Sequence, residues 1–106
     1  MVREIGVEAL RDLLAGGKTP TILDVREPDE TQLAPFVGAL EIPMGEIPAR
    51  LEELGREDEI VVLCHHGIRS GRVAGYLEQQ GFSHISNLTG GIDSWSLFID
   101  PEIPRY

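Results

Sequence analysis

The run Ile60–Leu63, four consecutive apolar residues rich in β-branched side chains, constrains the fold of this chain most strongly. Continuous apolar strands are typical of parallel sheets that are covered on both faces, because neither face of such a strand meets water. A second run at residues 21–25 has the same character, and shorter β-prone segments lie at residues 39–42 and 84–88. The sequence therefore predicts a buried sheet that contains these four strands.

Helical patterns separate the strands. Apolar residues spaced three and four apart predict helices over residues 7–14, 47–54, 70–80 and 91–98. Strands that alternate with helices through short loops favour a three-layer α/β/α architecture, in which helices cover both faces of a mainly parallel sheet. Ligand sites in such sheets lie at the carboxyl ends of the strands, so the residues that follow each strand are the first candidates for function.

Length and charge limit the classes of function. With 106 residues the chain is long enough for one compact domain, and a single domain over residues 1–106 is predicted. The net charge of −9 opposes contact with polyanions, which argues against nucleic-acid and anionic-membrane partners. No apolar run reaches the roughly 18 residues that a membrane helix needs. The first fifteen residues contain no continuous apolar segment, so no secretory signal is predicted and a cytoplasmic location is expected.

The only cysteine, Cys64, directly follows the buried strand. The next helix begins a few residues later, so the connecting loop must turn sharply, and Gly67 eases that turn. Backbone amides of such a loop converge on the sulfur, and the helix N-terminus adds partial positive charge, so the loop favours a thiolate. Four basic side chains are expected to make the entrance of the site locally positive, which suits an anionic substrate. They are His65, His66, Arg69 and Arg72.

Two readings of Cys64 compete. A lone cysteine at the end of an apolar strand is commonly a small buried hydrophobe without chemistry. The loop around it, with Gly67, Arg69 and a helix start in register, favours a reactive nucleophile instead.

Four separated motifs now resemble one family. The segment CHHGIRS at residues 64–70 is similar to the active-site loop of the rhodanese domain, which has a cysteine, four residues and an arginine. The segments LDVREP at residues 23–28, GALEIP at residues 38–43 and GGIDSW at residues 90–95 resemble three further family elements, in the family's order and spacing. The resemblance implies a rhodanese-like fold with a five-stranded, mainly parallel sheet.

One segment departs from the family pattern. Where the family has a GHIPGA-like run with a polar residue, this chain has LAPFVG at residues 33–38. The departure is expected to change a surface near the site, and with it the preference for substrate or partner, and to leave the nucleophile unaffected.

The resemblance also implies a reaction. Cys64 takes a sulfane sulfur from a donor such as thiosulfate, holds it as a persulfide, and passes it to cyanide, a thiol or a sulfur-carrier protein. No cofactor and no metal are expected. Arg69 binds the sulfonate end of the donor, and Asp24 and Arg26 either brace the loop or form a purely structural ion pair. The expected substrate-binding residues are those that follow the nucleophile, namely His65, His66, Gly67, Ile68, Arg69 and Ser70.

Several alternatives remain open at this stage. A non-catalytic persulfide carrier or interaction module would keep the same loop. A cysteine-based phosphatase or arsenate reductase is disfavoured, because such enzymes place five residues between cysteine and arginine and this loop has four. Ser70 is either a helix N-cap or a substrate contact. His65 and His66 either line the pocket or are solvated, and their side chains are expected to diverge without binding metal.

Overall fold

A computed structural model describes residues 2–106 as a five-stranded parallel sheet flanked by helices. The strand order is β1-β5-β4-β2-β3, and every registered pair of strands is parallel. The strands are β1 (Arg3–Ile5), β2 (Thr21–Asp24), β3 (Leu40–Glu41), β4 (Ile60–Leu63) and β5 (Ile85–Leu88). The helices are α1 (Val7–Ala15), α2 (Pro28–Leu33), α3 (Ile68–Gln79) and α4 (Gly91–Phe98), with 3-10 turns at Met44–Glu46 and Pro48–Glu53.

The strand predicted most firmly, β4, lies at the centre of the sheet. All four of its residues are buried, and it pairs with β2 on one side and β5 on the other. Its continuous apolar sequence follows from this position, because helices cover both faces and neighbouring strands occupy both edges.

Alternate residues of the strands point into two separate cores, as the pleat of a strand requires. One core packs Leu23 and Val62 against α3 and the 3-10 turns, and Cys64 belongs to it. The other packs Ile22 and Val61 against α1 and α4. The predicted three-layer arrangement is therefore confirmed, with α3 on one face and the α1–α4 pair on the other.

The structure corrects the sequence prediction at several elements. The edge strand β1 and the short helix α2 were not predicted. The expected helix over residues 47–54 is instead the 3-10 turn Pro48–Glu53, whose Arg50 leaves helical geometry at φ −122°. Helix α3 begins at Ile68, two residues before the predicted start at Ser70, because Gly67 adopts φ +106° and turns the chain into the helix directly.

A glycine in left-handed geometry ends α3. Gly81 has φ +93°, its amide donates to the carbonyl of Glu78, and the amide of Phe82 donates to the carbonyl of Leu77. These two bonds form a Schellman motif, which ends the helix after Gln79, with Gln80 as the C-cap, and directs the chain toward β5. Among residues 2–106, no helix has the length and apolarity needed to cross a bilayer.

Candidate active site

The sulfur of Cys64 lies at the carboxyl end of β4, inside the core, and its residue is 1% exposed. The amide of Gly67 donates a hydrogen bond to Sγ at 3.1 Å. The hydroxyl of Ser70 lies 3.2 Å from the same sulfur. The sequence predicts that several amides converge on the sulfur. Within the described part of the chain, one amide and one hydroxyl are within hydrogen-bonding distance instead.

Ser70 is not the N-cap of α3, because the helix begins two residues earlier and Gly67 occupies the cap position. The Ser70 side chain is fully buried, and its hydroxyl donates to Oδ1 of Asn87 at 2.5 Å. A hydroxyl has one proton, so in this arrangement it accepts a hydrogen bond from the Cys64 thiol. The N-cap interpretation is therefore wrong, and Ser70 contacts the sulfur atom.

Asn87 on β5 is a site residue that sequence analysis missed. Its side-chain amide donates to the carbonyl of Gly67 at 3.1 Å and to the carboxylate of Glu4 at 2.9 Å. Asn87 thus fixes both the Ser70 hydroxyl and the turn of the loop. The available signal was an amide side chain inside a predicted buried strand, because a buried amide needs hydrogen-bond partners.

Helix α4 anchors the start of the active-site loop from the opposite side. The amide of Ile92 donates to the carbonyl of Cys64 at 2.9 Å, and that of Asp93 donates to the carbonyl of His65 at 3.1 Å. Gly91 has φ +57°, and a Cβ atom placed there would lie 2.5 Å from both of these carbonyl oxygens. Gly91 is therefore required for the close approach of α4 to the loop.

Arg69 forms a bidentate ion pair with a carboxylate that sequence analysis did not identify. Its Nη1 and Nη2 atoms donate to Oε1 and Oε2 of Glu30 at 2.6 and 2.8 Å. Hydrogen bonding to Arg69 lowers the pKa of Glu30 to about 2. The same contact raises the pKa of the Arg69 guanidinium. The arginine expected to bind the donor is thus charge-paired in this structure.

Glu30 lies in the first turn of α2, and its oxygens accept four hydrogen bonds. Besides the two from Arg69, Oε1 accepts one from the amide of Glu27 at 3.0 Å, and Oε2 accepts one from the hydroxyl of Tyr106 at 2.9 Å. The Glu27 side chain in turn accepts from the amide of Glu30, which completes a capping box. The position of this carboxylate is therefore fixed from three directions.

Arg26 and Asp24 form a fully buried ion pair, with Nη2 of Arg26 2.7 Å from Oδ2 of Asp24. Arg26 also donates to the carbonyl of Ala34 at 2.8 Å and to the hydroxyl of Tyr106 at 3.1 Å. Neither residue of the pair has a hydrogen bond to residues 64–70 in the described chain. Arg26 contacts Tyr106, Tyr106 contacts Glu30, and Glu30 contacts Arg69 of the loop. The effect of the buried pair on the loop is therefore indirect.

The histidines differ from the expectation that they diverge. The rings of His65 and His66 stack with centroids 3.8 Å apart, and the ring of Tyr106 stacks on His65 at 3.9 Å. Burial lowers the pKa of His65, and the adjacent His66 adds to this effect. Atom Nε2 of His65 is buried and has no hydrogen-bond partner within the described residues. His65 is thus part of an aromatic stack beside the loop, and His66 is its exposed outer member.

His65, His66 and Asp93 each present one possible metal-ligating atom, and these atoms lie within 4.8 Å of one another. The geometry does not suit a metal. The two imidazole planes are inclined by only 28°, whereas the lone pairs of two ligands must converge steeply on a tetrahedral ion. Asp93 is also paired with Arg105, at 3.0 Å from its Nε atom.

The remaining predicted residues lie on the outer surface of the site. The side chain of Ile68 is 71% exposed beside Arg69. Arg72, one turn further along α3, lines an apolar groove together with Met44 and Tyr76. The segment at residues 33–38, which departs from the family pattern, leaves α2 at the level of Arg26 and exposes its Val37 side chain.

Comparison with known proteins assigns the chain to a family. The model of the rhodanese-like domain matches residues 6–97. The chain belongs to the rhodanese-like domain family. A sulfurtransferase of Allochromatium vinosum is 38% identical over 96 residues, which cover 91% of this chain and 90% of that protein. The putative sulfur carrier protein YrkF of Bacillus subtilis is 37% identical over 95 residues, which cover 90% of this chain and 51% of that protein.

The fold agrees with this assignment. The crystal structure of a rhodanese-like domain protein from Staphylococcus aureus is 32% identical and superposes with a TM-score of 0.84, covering 89% of this chain and 91% of that chain. The resemblance inferred from the four motifs is therefore confirmed, and the rhodanese-like chain is grouped with sulfurtransferases.

Proposed function

We propose that this rhodanese-like chain transfers sulfane sulfur and carries it as a persulfide on Cys64. The observation that carries the proposal is the position of the Cys64 sulfur. It accepts a hydrogen bond from the amide of Gly67 at 3.1 Å, and Gly67 is the N-cap of α3. An amide donor and the positive end of a helix stabilise a negatively charged sulfur, first as thiolate and then as persulfide. The sulfurtransferase name of the Allochromatium relative supports the same reaction class.

The reaction proceeds in two steps. The Cys64 thiolate attacks the outer sulfur of thiosulfate, the bond between the two sulfur atoms of thiosulfate breaks, and sulfite leaves with the electron pair. Cys64 then bears a persulfide. A nucleophilic acceptor attacks the terminal sulfur of this persulfide, so that cyanide becomes thiocyanate or a thiolate becomes a persulfide, and the Cys64 thiolate is restored.

Arg69 is the residue that we propose binds the anionic end of the donor. Its planar guanidinium forms two parallel hydrogen bonds with a carboxylate in this structure, and a sulfonate offers oxygens at a comparable spacing. The donor then shares the guanidinium with Glu30 or displaces the carboxylate from it. Ser70 and the Gly67 amide contact the attacking sulfur, that of Cys64.

A second candidate function is that of a persulfide carrier, which loads sulfur and delivers it to a protein without turning over small donors. The name of the YrkF relative favours this candidate, although the chain spans only about half of that protein. The apolar side chains of Ile68, next to Arg69 in the sequence, and of Val37, which follows α2, are exposed and offer a partner protein contact surface.

The test is the intact mass of the protein after incubation with thiosulfate, compared with that of Cys64→Ser. We expect the mass to increase by one sulfur atom in the native chain, cyanide to remove the increment, and the variant to show none. An unchanged mass of the folded native chain, with Cys64 reduced beforehand and the reductant removed, would rule out the proposal. Circular dichroism of the variant controls for folding.

Steady-state assays separate the candidates. Multiple turnovers of thiosulfate and cyanide support the enzyme, whereas a single loading event without turnover supports the carrier. Hydrolysis of an aryl phosphate would instead support a phosphatase.

A further inference from the structure

The entrance to the proposed site contains a fixed negative charge. Glu30 is bonded to both terminal nitrogens of Arg69, the residue proposed to receive the anionic end of the donor. Its side chain is 16% exposed, so solvent screens it only in part. The low pKa of Glu30 keeps the carboxylate ionised throughout the neutral range.

This carboxylate acts on a donor in two ways. It occupies the hydrogen-bonding directions of Arg69 that an oxyanion needs, and it repels any additional negative charge brought to the same place. The repulsion grows with the charge of the donor, whereas the occupied hydrogen-bonding directions hinder every oxyanion. The net charge of −9 on the chain adds a weaker repulsion of the same sign.

Tyr106 holds the carboxylate in this position. Its hydroxyl accepts a hydrogen bond from Nη1 of Arg26 at 3.1 Å and donates one to Oε2 of Glu30 at 2.9 Å. Because Arg26 is buried in its pair with Asp24, the hydroxyl is oriented by a rigid donor. The Tyr106 ring is also fixed by its stack on His65.

We propose that Glu30, positioned by Tyr106, selects sulfur donors by charge, so that the site favours singly charged thiosulfonates over the thiosulfate dianion. The inference rests on the proposed function and deepens it by naming the class of donor. Glu30 is the selecting residue, and Tyr106 is a positioning residue that acts through it.

The two donors follow the same chemistry. In each, the Cys64 thiolate attacks the outer sulfur and the bond to the sulfonyl sulfur breaks. Thiosulfate releases sulfite, and methanethiosulfonate releases methanesulfinate. Both reactions leave the same persulfide on Cys64 and need no oxidant or reductant. If a variant changes kcat/KM for one donor more than for the other, the difference therefore reflects the charge of the donor.

The experiment measures kcat/KM for thiosulfate and for methanethiosulfonate, with cyanide as acceptor, in four proteins. They are the native chain, Glu30→Gln, Tyr106→Phe and the control Glu53→Gln. Glutamine keeps the length of the side chain and one accepting oxygen. Glu53 suits the control because it is paired with an arginine as Glu30 is, but it is exposed and its partner is Arg50, on the 3-10 turn. The control therefore removes the same net charge elsewhere.

We expect Glu30→Gln to raise kcat/KM for thiosulfate about tenfold, chiefly through KM, and for methanethiosulfonate by about threefold or less. Tyr106→Phe should shift the ratio of the two donors in the same direction by a smaller factor, about twofold, and it retains the capping box of α2 should Glu30→Gln fold poorly. The difference between the donors should shrink as ionic strength rises. Glu53→Gln should leave the ratio unchanged.

Four outcomes would count against the proposal. An unchanged or lowered thiosulfate preference in Glu30→Gln overturns the selection by charge. An altered ratio in that variant without any change in Tyr106→Phe overturns the positioning role of Tyr106. If Glu53→Gln changes the ratio of the two donors as much as Glu30→Gln does, the effect comes from the net charge of the chain and Glu30 has no specific role. Failure of the native chain to form a Cys64 persulfide with either donor instead overturns the proposed function itself.

Discussion

Replacing Gly91 with alanine tests whether α4 sets the position of the Cys64 sulfur. The Cβ atom of alanine would lie 2.5 Å from the carbonyl oxygens of Cys64 and His65, where ordinary contacts begin near 3.4 Å. The φ angle of +57° is also unfavourable for a residue with a side chain. The loop and the helix must therefore separate by about 1 Å.

The cost follows from what the separation breaks. Two hydrogen bonds join α4 to the loop, from Ile92 to Cys64 and from Asp93 to His65. Each contributes about 1 kcal/mol, and left-handed geometry costs a further 1 to 2 kcal/mol or so. We expect Gly91→Ala to lower the free energy of unfolding by about 3 to 4 kcal/mol. Displacing the sulfur by about 1 Å should also slow persulfide formation by roughly a hundredfold.

Urea unfolding and the rate of persulfide formation measure the two effects. Gly75→Ala is the matched control, because Gly75 lies inside α3 and a Cβ atom there meets nothing within 4 Å. The free energy of unfolding of that control should rise by about 0.5 to 1 kcal/mol, because alanine has a higher helix propensity than glycine. A Gly91→Ala variant with native stability and native loading rate would refute the reasoning.

Two further predictions concern the charges around α2. Because its folded pKa of about 2 lies below the ordinary 4.5, Glu30 stabilises the protein fully above pH 4.5 and less as pH falls toward 2. Between pH 6 and pH 3, the free energy of unfolding measured with urea should fall by about 1 to 2 kcal/mol less in Glu30→Gln than in the native chain. An equal fall in both proteins would contradict the assignment. Arg26→Leu should lower the free energy of unfolding by about 3 to 5 kcal/mol, because it leaves Asp24 buried and unpaired. The double variant with Asp24→Asn should recover part of that loss, and a double variant as unstable as the single one would argue against the buried charge as its cause.

The half of the candidate site that contains Cys64 was predictable from sequence. A continuous apolar run determines β4, and it places Cys64 at the carboxyl end of a central strand. Gly67 indicates the turn that follows. These signals are local, because strand burial and glycine geometry are properties of a few consecutive residues.

The half that carries Glu30 was not predictable in the same way. Helix α2 has six residues, of which only Thr31 is buried, so it shows no apolar periodicity. It is stabilised by its capping box and by hydrogen bonds from the Arg26 side chain to backbone carbonyls. Tyr106 contacts Glu30 across 76 residues of sequence, and a contact so distant leaves no local pattern. The edge strand β1 was missed for a related reason, since three residues with mostly exposed side chains give too short a signal.

The two halves of the site therefore differ in how firmly the fold holds them. Strand β4 is hydrogen-bonded along both edges, so exposing its backbone requires unfolding much of the sheet, and its amides should exchange with deuterium only on global unfolding. Helix α2 is attached chiefly through side-chain contacts, and a local opening would release it at far lower cost. A molecule built this way can rearrange Glu30 and its neighbours on α2 while the Cys64 sulfur stays in place.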